Sequence, residues 1–325
     1  MILAGDIGGT NARLACFKLD GSRLALVQEQ DYASREHSGL EEIVKKFLAD
    51  YGVSIDQACF GVAGPVKEGR VVTSNLPWVV DAGQLARLLN IDQLALVNDL
   101  EANTYGIPSL EPTDFAALND GAAEASGNIA VIAAGTGLGE AGAYWDGTRH
   151  HPLPSEGGHA DFAPRNELEI ELLSKLLGRF KRVSYERVLS GAGLLHVYKF
   201  LRDSGRGKEP EWLRAEMEAG DPSAAISKAA LEGRSDLCGQ ALEMFVSIYG
   251  AEAGNLALKF KATGGVFVGG GIAPKIIKKL KLPTFMEAFK MKGRMRRLLE
   301  AIPVRVILND KAALLGAARR AAFGP

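Results

Sequence analysis

The chain opens on a short apolar run, Ile2 to Gly5, that ends in Asp6-Ile-Gly-Gly-Thr10. Ala12 to Leu19 then alternates partly with period two before Asp20-Gly21. A strand buries every second residue, and glycine and Asp-Gly pairs supply tight turns, so this pattern predicts strand, glycine turn, strand and hairpin. The same order returns downstream as an apolar run, Asn128 to Ala134, a glycine loop, Gly135-Thr-Gly-Leu-Gly139, then Glu140 to Trp145 and Asp146-Gly147. Two further echoes follow in matching order. Phe60-Gly-Val-Ala-Gly-Pro65 pairs with Phe267-Val-Gly-Gly-Gly-Ile-Ala-Pro274, and Leu96-Val-Asn98-Asp99 with Ala102 and Gly106 pairs with Ile307-Leu-Asn309-Asp310 with Ala312 and Gly316. Correspondences in one order predict a duplicated α/β domain. Helices fill the gaps: Leu40, Ile43, Val44, Phe47 and Leu48 form one apolar stripe, and Leu237 to Phe260 carries a longer one. Residues 108 to 127, punctuated by Pro, Asp and Gly, read as the crossing between domains. The expected division is a first domain over 1–110 and a second over 111–309, with a helix over 310–325 packing back on the first.

Composition narrows the class. Thirty-eight Lys and Arg face 39 Asp and Glu for a net charge of −1, which excludes a polybasic nucleic-acid binder, and 47% apolar residues suffice for real cores. Glycine stands at 38 of 325 residues, above the usual ~7%, with no collagen-like period, so the excess serves turns. Cys16, Cys59 and Cys238 lie far apart with no CxxC pair, which argues against a disulfide framework and a thiolate zinc site and fits a reducing cytoplasm. Asp6 interrupts the apolar opening and no run nears ~18 uninterrupted apolar residues, so neither a signal peptide nor a membrane span is expected. From Lys275 to Arg297 there are nine basic residues and one acidic, interleaved with Ile276, Leu280, Phe285 and Phe289, which reads as an amphipathic segment with a solvated face.

Gly137-Leu-Gly139-Glu-Ala-Gly142 matches the GxGxxG of dinucleotide folds, but that fingerprint must open a helix of about ten residues. Only Ala143, Tyr144 and Trp145 precede the Asp-Gly turn, so the segment is a strand. No GKS or GKT follows any glycine loop, which removes a Walker loop. What remains is a pair of glycine turns whose backbone N–H groups can approach phosphate oxygens without Cβ obstruction, with Thr10 and Thr136 adding hydroxyl donors. Asp6, at the rim of the first turn, offers a hard oxygen ligand to the Mg2+ of a nucleotide triphosphate through a water, or else caps the turn. A metal reading of His150, His151, Glu156 and His159 is weak.

At these residues the chain resembles a known family. Asp6 to Arg13, Gly135 to Gly139 and Gly264-Gly-Val-Phe-Val-Gly-Gly-Gly271 look like the two phosphate segments and the adenosine segment of the actin-like, hexokinase-type sugar kinase superfamily. Leu96 to Asp99, Ser155-Glu-Gly-Gly-His-Ala-Asp-Phe-Ala-Pro164 and Tyr185-Glu-Arg-Val-Leu-Ser-Gly-Ala-Gly193 are similar to the bacterial ATP-dependent glucokinase family, in that family's order and across essentially the whole chain. The fold implied is α/β, two RNase H-like domains flanking a central cleft. The implied reaction is phosphoryl transfer from ATP to the 6-hydroxyl of D-glucose.

The resemblance also implies roles. Gly5, Asp6, Ile7, Gly8, Gly9, Thr10 and Asn11, with Gly135, Thr136 and Gly137, and Gly269, Gly270 and Gly271, would hold ATP, and Asp6 its Mg2+. Asp99, which follows the apolar strand Leu94 to Val97, would accept the sugar proton, and Asn98, Asp99, Glu156, His159 and Glu186 would hold the sugar hydroxyls. A plain helix N-cap is the rival reading of Asp99 and the expected role of Asp310. The glycines at 157 and 158 are expected to let Glu156 and His159 point to one side of a tight loop. A related repressor/kinase branch has a Cys-rich zinc loop where this chain reads Ala160-Asp-Phe-Ala-Pro-Arg165, so no zinc is expected. A cytoplasmic homodimer binding neither nucleic acid nor membrane is implied. Three other readings stand beside this one: a kinase for another hexose or an N-acetylhexosamine, a sugar sensor without turnover, and an actin-like filament.

Overall fold

A computed structural model describes residues 1–21, 23–73 and 76–324. Contacts divide the chain into two units, one of Met1–Asp114, Arg149–Pro154 and Asn309–Pro325, the other of Phe115–Thr148 and Ser155–Leu308.

The first unit begins with β1 (Ile2–Ile7), β2 (Asn11–Asp20) and β3 (Arg23–Ala33), then α1 (Leu40–Tyr51) and β4 (Gln57–Val62). The hairpin of β5 (Arg70–Val72) and β6 (Val79–Asp81) leads to α2 (Ala82–Leu89), β7 (Leu94–Asn98) and α3 (Asp99–Gly106). The main sheet runs β3-β2-β1-β4-β7, with β1 antiparallel to β2 and parallel to β4, and β4 parallel to β7. Leu40, Ile43, Val44 and Phe47, one stripe of α1, are buried against the sheet's core residues Leu3, Leu14 and Phe60. Gly52 then ends the helix in the left-handed conformation that a residue with Cβ adopts only at a cost.

The second unit contains β8 (Phe115–Asn119), β9 (Ile129–Ala134) and β10 (Leu138–Trp145). After β11 (His150–Ser155), whose residues up to Pro154 count with the first unit, come α4 (Glu167–Leu177), α5 (Gly191–Asp203), α6 (Glu211–Ala219), α7 (Pro222–Leu231) and the long α8 (Asp236–Phe260). β12 (Gly265–Gly269), α9 (Ile277–Leu280), α10 (Pro283–Lys290), α11 (Arg296–Glu300) and β13 (Val304–Ile307) close it. From β10 the strands run β10-β9-β12-β13-β8. The relations of the first sheet return, since β9 is antiparallel to β10 and parallel to β12, and β12 is parallel to β13. The GxGxxG match falls inside β10, so those glycines open no helix.

Residues 108 to 127 are more ordered than their punctuation suggests. They hold two 3-10 turns and β8, which pairs antiparallel with β13. Four of its five residues are only half-buried and Ala117 is exposed at a sheet edge, so the Pro and Asp before it and the Gly after it mask the short pattern. The basic stretch after Lys275 is docked: Ile276, Leu280, Phe285 and Phe289 are buried, and Lys279, Lys290 and Arg296 pair with Glu243, Glu287 and Glu300.

The last helix, α12 (Ala312–Phe323), belongs to the first unit, where Ala313, Leu314, Ala317 and Ala318 share a core with Ile2, Ala4, Cys59 and Val97. It also crosses α3 at very short range. A Cβ on Gly106 would strike the carbonyl of Ala312, and one on Gly316 would strike the carbonyl of Ala102. The Ala and Gly positions that echo each other in the sequence are therefore the contact surface of two helices that pack together.

Candidate functional site

In the first unit the chemistry gathers at the C-terminal ends of β1 and β7. Asp6 stands opposite Gly61 of β4 in parallel register, and a Cβ on Gly61 would meet Ala102 Cβ at 2.8 Å and lie 3.8 Å from Asp99 Cα. Glycine there lets the first turn of α3 close on the sheet, which brings the Asp99 charge to bear on Asp6. Burial, and then Asp99, push the Asp6 carboxyl up to about 6, and Arg13 opposes them. Arg13 donates to Asp31 at 2.8 Å and to Asp310 at 3.3 Å, and these carboxylates raise its own pKa. The glycine turn beyond β1 is pinned from behind: Gly8 N–H donates to the Asn11 carbonyl, Ser34 Oγ to the Gly8 carbonyl and Ser34 N–H to the Thr10 carbonyl, each at 2.9 Å. Gly8 and Gly9 are half-buried while Thr10 and Asn11 are exposed, an arrangement that leaves the outer side of the turn open to a ligand.

Asn98 and Asp99 divide the work at the start of α3 differently from the sequence expectation. The cap is Asn98, whose Oδ1 accepts from Leu100 N–H at 2.9 Å in a capping box with Glu101, and whose Nδ2 donates to the Gly64 carbonyl at 3.2 Å. Asp99 is the first helical residue and lies outside the capping box, although its Oδ1 also accepts from Leu100 N–H at 2.9 Å. Asp310 is no cap either. α12 starts two residues later with Lys311 in the cap position and no side-chain bond there, and the Asp310 carboxylate meets Arg13.

In the second unit the glycine turn after β9 is held between two segments. Gly135 N–H donates to the Gly137 carbonyl at 2.8 Å, Gly191 N–H at the start of α5 donates to the Gly135 carbonyl at 2.9 Å, and Ile272 N–H donates to the Ala134 carbonyl at 3.2 Å. A Cβ on Gly270, itself at φ +81°, would strike the backbone of Ala134. Gly135–Gly137, Gly269–Gly271 and the N-terminus of α5 thus form one backbone-lined surface of the kind that suits anions.

The acid and imidazole side chains meet beside it. Glu186 accepts from Leu138 N–H at 3.1 Å, and its carboxylate lies 4.0 Å from His159 Nδ1, whose Nε2 is 3.9 Å from Glu156. Glu156 and His159 side chains are 57% and 55% exposed, and Glu186 30%, so the three present acceptors and donors at the surface of this unit. The turn Gly157–His159 also needs glycine for space: a Cβ on Gly158 would strike the Leu138 carbonyl, and one on Gly157 would strike the Glu140 carboxylate. Reading residues singly missed Ser34, Arg13, Gly61 and Glu140. Their signal lies in strand register and packing and not in any local motif. Among the described residues no group of three or more His, Cys, Asp or Glu is arranged to hold a metal ion, and no helix is long and apolar enough to cross a membrane.

Comparison with known proteins bears on the chain as a whole. A family model described as Glucokinase matches residues 3–323. The chain is 44% identical to a glucokinase of Nostoc sp. over 338 aligned positions, covering 99% of each. It superposes on the crystal structure of a glucokinase from an Antarctic psychrotroph with a TM-score of 0.84, at 33% identity over 98% of this chain and 97% of that one. A ROK family glucokinase from Streptomyces griseus, in complex with glucose and AMPPNP, shares the fold with a TM-score of 0.64 at 22% identity over 98% of each chain.

Proposed function

Because this chain belongs to the glucokinase family and is an ATP-dependent hexose kinase of the actin-like ATPase fold, we propose that it transfers the γ-phosphoryl group of ATP to the 6-hydroxyl of D-glucose. Asp99 is the general base. The observation that carries the assignment is its place: a half-buried carboxylate at the end of a parallel strand, outside the capping box, next to a second acid that it perturbs. Asp99 orients the 6-hydroxyl and takes its proton as the oxygen attacks, in a transfer governed by positioning and electrostatics.

Glu186, Glu156 and His159 hold the sugar hydroxyls. A pyranose presents neighbouring groups that each donate and accept, and two carboxylates with an imidazole answer both needs. Asn98 adds at most its second amide hydrogen, since its other polar atoms serve α3 and the loop at Gly64. Gly5 to Asn11, Gly135 to Gly137 and Gly269 to Gly271 receive the nucleotide, with backbone N–H groups other than those of Gly8 and Gly135, which close their own turns, facing phosphate oxygens. Mg2+ arriving with ATP supplies charge neutralisation at those oxygens. Asp6 fits such a cation, since a positive ion would relieve the repulsion from Asp99 that raises its pKa. The free, buried cysteines suit a reducing cytoplasm. Homodimer assembly is carried by family membership alone, and light scattering on the purified protein tests it.

The deciding experiment is a coupled assay of ADP release over a panel of hexoses and N-acetylhexosamines. Release dependent on glucose supports the reading. Release dependent on another sugar moves the substrate, and tight sugar binding without release turns the protein into a sensor.

A further inference from the structure

Glu140 is a carboxylic acid in an unusual place. It sits in β10 opposite Ile132 of β9, is only 1% exposed, and neither of its oxygens has a hydrogen-bond partner. An unpaired charge in such a site is costly enough that the group is held as the neutral acid instead. What depends on it is the loop above: the carboxyl fills the space under Gly157 so closely that a single methyl group on that glycine would collide with Oε2.

The loop so supported runs from Ser155, whose Oγ accepts from Gly157 N–H at 2.9 Å, through Glu156 to His159. A second buried acid lies near. Glu252 of α8 is 0% exposed and accepts from Asn255 at 2.7 Å and from Lys259 at 3.1 Å. Asn255 also donates to Tyr185 Oη at 3.2 Å, immediately before Glu186. The two acids therefore underlie both segments that carry the sugar-facing side chains.

We propose that Glu140 is a positioning residue whose carboxyl, as the neutral acid, props the Gly157–Gly158 turn and so sets where Glu156 and His159 stand, which makes sugar binding sensitive to alkali. This rests on the assignment of those two residues to the sugar. Burial first, and then the Glu252 charge, push the Glu140 carboxyl up to about 8, with Lys259 opposing. Tyr249 on α8 also faces it, and Glu156 and His159 lie on the turn that Glu140 supports, with Tyr185 next to Glu186. Ionisation would place a second negative charge beside Glu252 with no donor to meet it. The turn must then lift to admit water, or the side chain must swing out from beneath it. Either movement displaces Glu156 and His159.

The test uses the intact enzyme and Glu140→Gln, which keeps the shape and removes the titration. The glucose KM of the wild type should rise by up to about tenfold per pH unit above 8, as the competent fraction falls, while that of the Gln variant stays level. Amide exchange of the peptide spanning residues 155–160, corrected for intrinsic rates, should quicken over the same range in the wild type alone. Parallel KM profiles together with parallel exchange overturn the proposal. Glu186→Ala separates the two readings: if it leaves the glucose KM untouched, the sugar assignment fails and the exchange profiles decide the role of Glu140 by themselves. Should the Gln variant not fold, a wild-type exchange profile with no step near pH 8 overturns the proposal by itself.

Discussion

The central pair of this site is Asp6 and Asp99, and their chemistry differs because their surroundings do. Asn can replace Asp at position 99 without disturbing the α3 cap, since Asn98 supplies that bond and the amide oxygen of the replacement can accept from Leu100 N–H as the Asp99 carboxylate does. Losing a negative charge in the first turn costs ~0.3–1 kcal/mol, and relief of the repulsion on Asp6 offsets it. Asp99→Asn should therefore melt within a few degrees of wild type while turnover falls on the order of 100 to 10,000 fold, the usual loss of a general base. A fully active variant would remove Asp99 from the mechanism. Asp6 yields a pH prediction whose sign follows from its raised pKa. Its folded value of about 6 lies above the ordinary carboxylate value of 3.8, so its contribution to the stability of the ligand-free protein is full below 3.8 and is lost as pH rises through 6. Mg2+ needs the ionised form, so Mg2+-dependent nucleotide binding should weaken as pH falls through about 6. Asp99→Asn removes one cause of the shift and should move that midpoint toward acid. Binding measured by calorimetry between pH 5 and 8 checks both, and a level profile defeats the assignment of Asp6.

At the scale of elements, the tightest packing is the crossing of α3 and α12, where Gly106 and Gly316 give the room. Gly316→Ala forces those helices apart, and overpacking of this kind costs ~1–3 kcal/mol, or roughly 3–10 °C in melting midpoint. A midpoint within a degree of wild type would mean the helices separate freely. These positions also show what a sequence discloses. The Ala and Gly echo between residues 102–106 and 312–316 is visible in the chain as a repeat, yet its cause, one helix lying on the other, is a tertiary fact. The stripe of α1 was legible because burial on one face imposes a period, whereas the strands of both hairpins and the long α8, buried at half or more of their positions, were legible as apolar runs bounded by turns. β8 was not, since five residues at an edge, none of them fully buried, hold too short a pattern. Asp310 was misread as a cap because its local sequence copies that of Asp99, whereas its partner is Arg13, 297 residues earlier in the chain. Glu140 was passed over for a similar reason: it lies in a strand, and only the fold shows that Gly157 sits on it.

Taken whole, the chain has an order of assembly built into its topology. The first unit takes its opening 114 residues from the N-terminus but completes its core with α12, after the long second unit has been inserted. Ile2, Ala4, Cys59 and Val97 are covered by Ala313, Leu314, Ala317 and Ala318, so one side of the β1-β4-β7 region stays uncovered until synthesis reaches the end. Contacts of such sequence separation are slow to form, because the loop-closure entropy must be met before burial rewards it. Leu314 alone, fully buried, is worth ~1.5–3 kcal/mol of burial, and the three alanines add to it. Ending the chain after Leu308 should therefore unfold the first unit while α8, whose core lies wholly in the second unit, keeps its structure. Amide exchange on the truncated protein tests this directly: β1 and β4 should exchange freely while α8 stays protected. Uniform protection across both would mean that the sheet closes its core without the last helix, and the order of assembly argued from α12 would fall.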